Sequence, residues 1–225
     1  MRRRTLLALA ACAVVPKEAH GAPPSDEDAY ELDEVSRSVP RHGELVCPKV
    51  DLVTHRGAAI RYDGAAVVHP AFRLRLVAFE ALAAEVAVSH FGRKPTKLVQ
   101  LGTFNCRRIG GYPELVSEHG LGNAIDVAGF DFAPLPPSAD AAGTTSPKLD
   151  RRHLGAFAVR LDRHFKLDAR RSPESAFLRD LARRVIARPD LFRVVLGPSY
   201  PGHHNHFHFD CAPYRLVDVF GSADA

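Results

Sequence analysis

After its first fifteen residues the chain has no apolar run of about 18 or more, so nothing later in it reads as a membrane-spanning helix. It also lacks a broad charge excess. The formal net charge of +4 comes largely from Arg2, Arg3, Arg4 and Lys17. Beyond residue 21 there are 26 basic and 25 acidic side chains. That balance argues against a nucleic-acid-binding surface. There is no C-x-x-C, so the four cysteines do not have metal-ligand spacing. No internal repeat is present, which excludes solenoids and propellers.

The beginning of the chain reads as an export signal. Arg2-Arg3-Arg4 precedes a short apolar run, Thr5 to Val15, and Ala19-His20-Gly21 offers small residues for cleavage. A competing reading takes Leu9-Ala10-Ala11-Cys12 as a lipobox with Cys12 as lipid anchor. Either reading places the mature protein outside the cytoplasm, in the periplasm or cell envelope, where disulfides persist. Of Cys47, Cys106 and Cys211, the last two lie beside the chemically interesting segments, and they form the favoured pair.

Residues 22–43 are rich in Pro, Ser, Asp and Glu and read as a disordered linker. The folded domain is expected over 44–215, with a tail at 216–225. Pro70 to Phe91 carries one apolar stripe, Phe72, Leu76, Phe79, Ala83 and Val86, with Pro70 suited to the first turn and Gly92 to the stop. Helices are also expected over 151–165 and 173–188, and strands near 97–104, 124–130, 192–196 and 205–210. Residues 133–148 hold four prolines and read as a loop insertion. The sum is an α+β domain, a small and mainly antiparallel sheet with helices packed on it.

Two segments carry the chemistry. His203-His204-Asn205-His206-Phe207-His208-Phe209-Asp210 places four of the twelve histidines within six residues. On a strand His206 and His208 share one face, and Phe207 and Phe209 share the face a core would receive. Neutral imidazole is the commonest metal-ligating side chain. Ser117-Glu118-His119-Gly120-Leu121-Gly122-Asn123-Ala124-Ile125-Asp126 sets an ionisable Asp126 into an apolar strand, where it is costly unless paired or bound to a metal. Two imidazoles and one carboxylate leave a fourth tetrahedral position open, which is the logic of a catalytic zinc. Zinc lowers the pKa of water and polarises a carbonyl.

Ser117-x-His119-x-x-Gly122-x-Ala124-x-Asp126 with the later H-x-H resembles the signature of the LAS-type metallopeptidases. That group includes D-Ala-D-Ala dipeptidases and carboxypeptidases, murein endopeptidases and the hedgehog signalling domain. Asn105-Cys106-Arg107, Ser117 to Phe130, and Val195-Leu196-Gly197-Pro198 leading to Phe207-His208-Phe209-Asp210 resemble the bacterial extensin-like C-terminal domain family, over roughly 45–213. The resemblance implies a hedgehog/D-Ala-D-Ala-peptidase-like fold and one Zn2+ held by His119, Asp126 and His208. It implies catalytic roles for His206, as general base or intermediate stabiliser, and for His203. Arg107 is a candidate for a substrate carboxylate or oxyanion, or else a structural ion pair. The implied activity is hydrolysis of peptidoglycan stem peptides or cross-links. The implied alternative is a zinc-bearing binding module without turnover. The acidic residue that D-Ala-D-Ala peptidases carry shortly before the last ligand is missing, since Leu196–His206 holds no Asp or Glu. This favours the endopeptidase-like arrangement.

Overall fold

Eleven strands and three α-helices follow one another in the computed structural model, which describes residues 30–135 and 150–221. The stretches read as an export signal or a Cys12 lipobox, and most of the 133–148 insertion, lie outside the described residues. The central strand is β7, Ala124–Phe132. It is flanked by β4, Lys97–Gly102, and by β10, Phe207–Asp210, both antiparallel to it. Beyond β10 lie β9, Val194–Leu196, and then β11, Leu216–Asp218, which runs parallel to β9. Beyond β4 lies β2, Arg61–Tyr62, also parallel to its neighbour. One edge of β7 serves two partners in turn. Residues 124–127 pair with β10, and residues 129–132 pair with β8, Phe157–Arg160. Two small antiparallel pairs complete the strands: β1, Val53–His55, with β3, Ala66–Val68, and β5, Arg108–Ile109, with β6, Tyr112–Val116. The architecture is α+β with no closed barrel.

Helix α1, Pro70–Phe91, has the predicted bounds. His69 Nδ1 accepts from Ala71 N–H at its start, and Gly92 N–H returns to Val88 O at its end. The predicted stripe is fully buried, and α3, Pro173–Ile186, packs beside it. Ser172 accepts from Ser175 N–H and Pro173 takes the first position, as the sequence indicates. The core is an aromatic layer. Phe79 lies 5.2 Å from Phe209 between centroids, Phe192 stacks on Phe209 at 5.0 Å, and Phe177 meets Phe91 and Phe130 at 5.5 Å each. Phe207 and Phe209 therefore bury their face of β10 against the helices, as strand parity requires. The other face of β10 and β7 is left for His208, Asp210 and Asp126.

One buried carboxylate ties α1 to the β1–β2 connection. Glu80 accepts from the backbone N–H groups of Ala58, Ala59 and Ile60 and meets His55 Nε2 at 2.6 Å. Burial disfavours its charge, but these hydrogen bonds outweigh that and hold its pKa below the ordinary value.

Several expectations change. Residues 151–165 do not form one helix. A short turn at Arg151–His153 leads into β8, and the α-helix there is only α2, Leu161–His164. The distal half of β7 needs an edge partner, and Phe157-Ala158-Val159-Arg160 supplies it, with Phe157 stacking on Phe132 at 4.5 Å. Residues 31–43, placed in the linker by composition, are packed in part. Leu32 is buried, Val39 N–H donates to Glu114 O, and Val116 N–H donates to Arg37 O. Leu216–Asp218, assigned to the tail, forms an edge strand. The disulfide joins Cys47 to Cys106, not Cys106 to Cys211. Cys211 continues the parity of Phe207 and Phe209 towards the core, where its Sγ lies 3.3 Å from Leu191 O. It therefore points away from the face that Cys106 flanks.

Candidate metal centre

The first half of the site is a tight turn. Ser117 caps a short 3-10 helix, Glu118–Leu121, by accepting from His119 N–H. Ser117 thus holds the turn rather than a ligand. Gly122 closes it with φ 61°, in the left-handed region, where a Cβ would come within 2.9 Å of His69 N. Gly120 packs against the disulfide, and a Cβ there would meet Cys47 Sγ at 2.8 Å. The turn delivers the buried His119 ring to the sheet and then feeds β7, on which Asp126 follows. The second half is β10, where His208 lies directly across from Asp126 in the ladder. β7 carries register shifts against β4 on both sides of Val127, next to Asp126, and such bulges re-aim side chains beside functional sites.

Three ligand atoms converge. His119 Nε2 lies 3.2 Å from His208 Nδ1 and 3.3 Å from Asp126 Oδ2, and His208 Nδ1 lies 2.9 Å from Asp126 Oδ1. Tetrahedral zinc at about 2.0–2.1 Å from each ligand sets neighbouring ligand atoms about 3.3 Å apart. The spacing therefore fits one small ion. The tautomers agree with it. His119 Nδ1 faces the Thr103 carbonyl at 2.6 Å and must donate there, which leaves Nε2 with its lone pair inward. His208 Nε2 donates to Asp210 Oδ2 at 2.7 Å, which leaves Nδ1 inward. Two ring lone pairs and a carboxylate aimed at one point repel each other unless a cation or proton sits between them. Thr103 and Asp210 are the outer partners that orient metal-binding imidazoles.

The electrostatics carry the same signature. Burial raises the Asp126 pKa, but contacts with His119 and His208 outweigh it and hold the carboxyl well below the usual carboxylate range. Burial disfavours a charge on His208, yet hydrogen bonds to Asp126 and Asp210 push its pKa up to about 9. His206 goes the other way. Burial pushes it down to about 4, against the opposing pull of Asp126.

His206 stands just before β10, with its Nε2 3.5 Å from Asp126 Oδ1. Its Nδ1 meets Asn205 Oδ1 at 2.8 Å and donates there, so Nε2 is a proton acceptor facing the site. The His203 ring lies 4.8 Å from that of His206 and 5.6 Å from that of His208. The exposed Arg107 contributes to lowering the His203 pKa, after burial and the charge on His208. His204 is exposed. Glu118 faces away from the ligands, towards Arg37 and Asn123. Among the described residues, His119, Asp126 and His208 are the group of His, Cys, Asp and Glu that could hold an ion.

Residues 27–134 match the family model described as "Extensin-like protein C-terminus". The match supports the extensin-like resemblance for that part of the chain. It takes in His119 and Asp126 and begins well before residue 44, in keeping with the packed residues 31–43. It ends before the extensin-like motif around His208, which rests on the geometry above. No curated protein and no solved structure matches the chain.

Three contributors were missed in the sequence. For Asp210 the signal is its spacing of two from His208, which places both on one strand face. The Thr103 carbonyl is a backbone group and leaves no trace in residue type. Arg37 lay in a segment whose composition suggested disorder.

Proposed function

We propose that the protein is a zinc-dependent peptidase of the cell envelope that hydrolyses peptide bonds in peptidoglycan stem peptides or cross-links. The observation that carries this reading is the convergence of His119 Nε2, Asp126 and His208 Nδ1 at about 3 Å, with the His206 acceptor beside them. His119, Asp126 and His208 would hold a divalent ion, which would acidify a water and polarise the substrate carbonyl. The chain does the rest. Thr103 and Asp210 fix the two ligand rings. His206, neutral and with its Nε2 inward, takes a proton from attacking water and returns one to the leaving amine. His203, against the His206 ring, holds that ring in place. Arg107, exposed and close enough for its charge to act on His203, is available for a substrate carboxylate. The envelope location rests on the export-signal reading and the substrate on the resemblance, with a disulfide in keeping with an oxidising compartment. Among the described residues no helix is long and apolar enough to cross a membrane.

A zinc-bearing binding module is the second reading. It is favoured by the absence of Asp and Glu from Leu196–His206, because Asp126 belongs to the candidate ligand set and Asp210 is engaged by His208. The test is digestion of purified murein by the zinc-loaded protein, with chromatography of the products. The peptidase reading expects a changed muropeptide profile. It also expects His206→Ala to lose turnover by about a hundredfold or more while retaining zinc. A zinc-loaded protein that never alters the profile supports the binding module instead.

A further inference from the structure

We propose that residues 31–40 form a clasp that positions both halves of the metal centre, with Arg37 and Glu118 as its positioning residues. The inference rests on the metal reading above and goes beyond the ligand set. Glu118 is adjacent in sequence to His119 and is buried. Its carboxylate receives Arg37 through two contacts, Nε to Oε1 at 2.8 Å and Nη2 to Oε2 at 3.1 Å. Asn123 Nδ2 donates to Oε2 from the other side at 2.5 Å. The short turn bearing His119 is thus gripped at both ends by one carboxylate. Arg37 is itself fixed, because its Nη1 donates to the carbonyls of Leu32 and Val35.

The same segment reaches the other half of the site. Asp33 forms a two-point ion pair with Arg193, Nη1 to Oδ1 at 2.5 Å and Nη2 to Oδ2 at 3.0 Å. Arg193 N–H donates to Asp210 O, and its guanidinium to Ala212 O. Asp210 is the residue that orients His208. The segment also lies along β6 through a single antiparallel bridge, Ser38 to Leu115. One ten-residue stretch therefore touches the neighbour of His119 directly and reaches the support of His208 through Arg193, although His119 and His208 are 89 residues apart in sequence. A bidentate guanidinium–carboxylate pair fixes orientation as well as distance. That is the quality a ligand turn needs, because small misplacement of a ligand costs affinity.

The test uses the full chain loaded with Co2+, whose visible absorption reports ligand geometry. Arg37→Ala, Glu118→Gln and Arg37→Lys are compared with the unaltered protein for Co2+ spectrum, Zn2+ affinity by chelator competition, and thermal midpoint without metal. We expect Arg37→Ala and Glu118→Gln to weaken Zn2+ by about tenfold or more and to change the Co2+ bands. Arg37→Lys, which keeps the charge but loses the two-point geometry, should stay weakened and recover only a small part of the affinity. Should Arg37→Ala fail to fold, the other two variants decide. Unchanged affinity and spectrum alongside a lowered metal-free midpoint would overturn the clasp and leave the metal reading intact. Failure of the unaltered protein to take up either ion would overturn both.

Discussion

Acidification should strip an ion from the centre through a single ring, His208. Without metal, that ring sits between Asp126 and Asp210, and although burial disfavours its charge, the two carboxylates push its pKa up to about 9. His206 is already neutral near pH 7, with a pKa of about 4, and Asp126 is already ionised. An entering ion must therefore displace the His208 proton before Nδ1 can bind it. Each pH unit below 9 then weakens binding about tenfold, or about 1.4 kcal/mol, so that pH 7 costs roughly a hundredfold relative to pH 9. The stability of the metal-free protein runs in the opposite sense. Its His208 pKa is raised above the unfolded value near 6.5, so the ring's contribution is complete below that pH. It is lost as the pH rises through 9, a change of about 3 kcal/mol. The assay is zinc affinity by chelator competition at pH 7, 8 and 9, with protons counted calorimetrically in two buffers of different ionisation enthalpy. About one proton should leave per ion at pH 7. Asp210→Asn removes one of the raising carboxylates and should move the break to lower pH. An affinity flat between pH 7 and 9, with no proton released, would refute the reasoning.

Two further outcomes concern the scaffold. The Cys47–Cys106 bridge closes 59 residues of chain, so the double serine variant should lose about 4 kcal/mol, lowering the urea midpoint by roughly 2 M; a shift under about 0.5 M would show that the bridge does not restrain the unfolded chain. Glu80→Ala leaves three backbone N–H groups and His55 without their acceptor and should cost about 3 kcal/mol or more, read by chemical unfolding. Because the folded pKa of Glu80 is depressed, its support is present above about pH 4.5 and is lost as the pH falls through the folded value. Glu80→Gln should therefore flatten the acid side of the stability profile.

The legible parts of this protein are those in which chemistry and periodicity coincide. Helix α1 showed because a buried stripe, an N-terminal proline and a closing glycine agree at every level. The ligand set showed because imidazoles are rare on a strand whose other face is aromatic, and because the parity of His208 against Phe207 and Phe209 survives folding. β8 was missed because Phe157-Ala158-Val159-Arg160 is too short for periodicity and is set by the unpaired edge of β7. The clasp was missed for a related reason. Its order comes from Arg37 and Asp33 finding partners 81 and 160 residues away, which a polar composition does not reveal. The disulfide followed proximity to the site only for Cys106, whereas the same parity that places Phe209 in the core takes Cys211 with it.

β7 also separates chemistry from connection along its own length. Asp126 lies near its start, and the strand runs six residues further to Phe132, about 20 Å in extended chain, before the connection to Asp150 begins. That distal half is locked to β4 and β8 and to the aromatic layer. A change of length in the connection is therefore applied to the end of a braced beam and is damped before it reaches the ligands. The connection after Phe132 is a natural graft point, where a reporter or an added binding loop can be inserted while the chemistry at the other end of the strand stays in register.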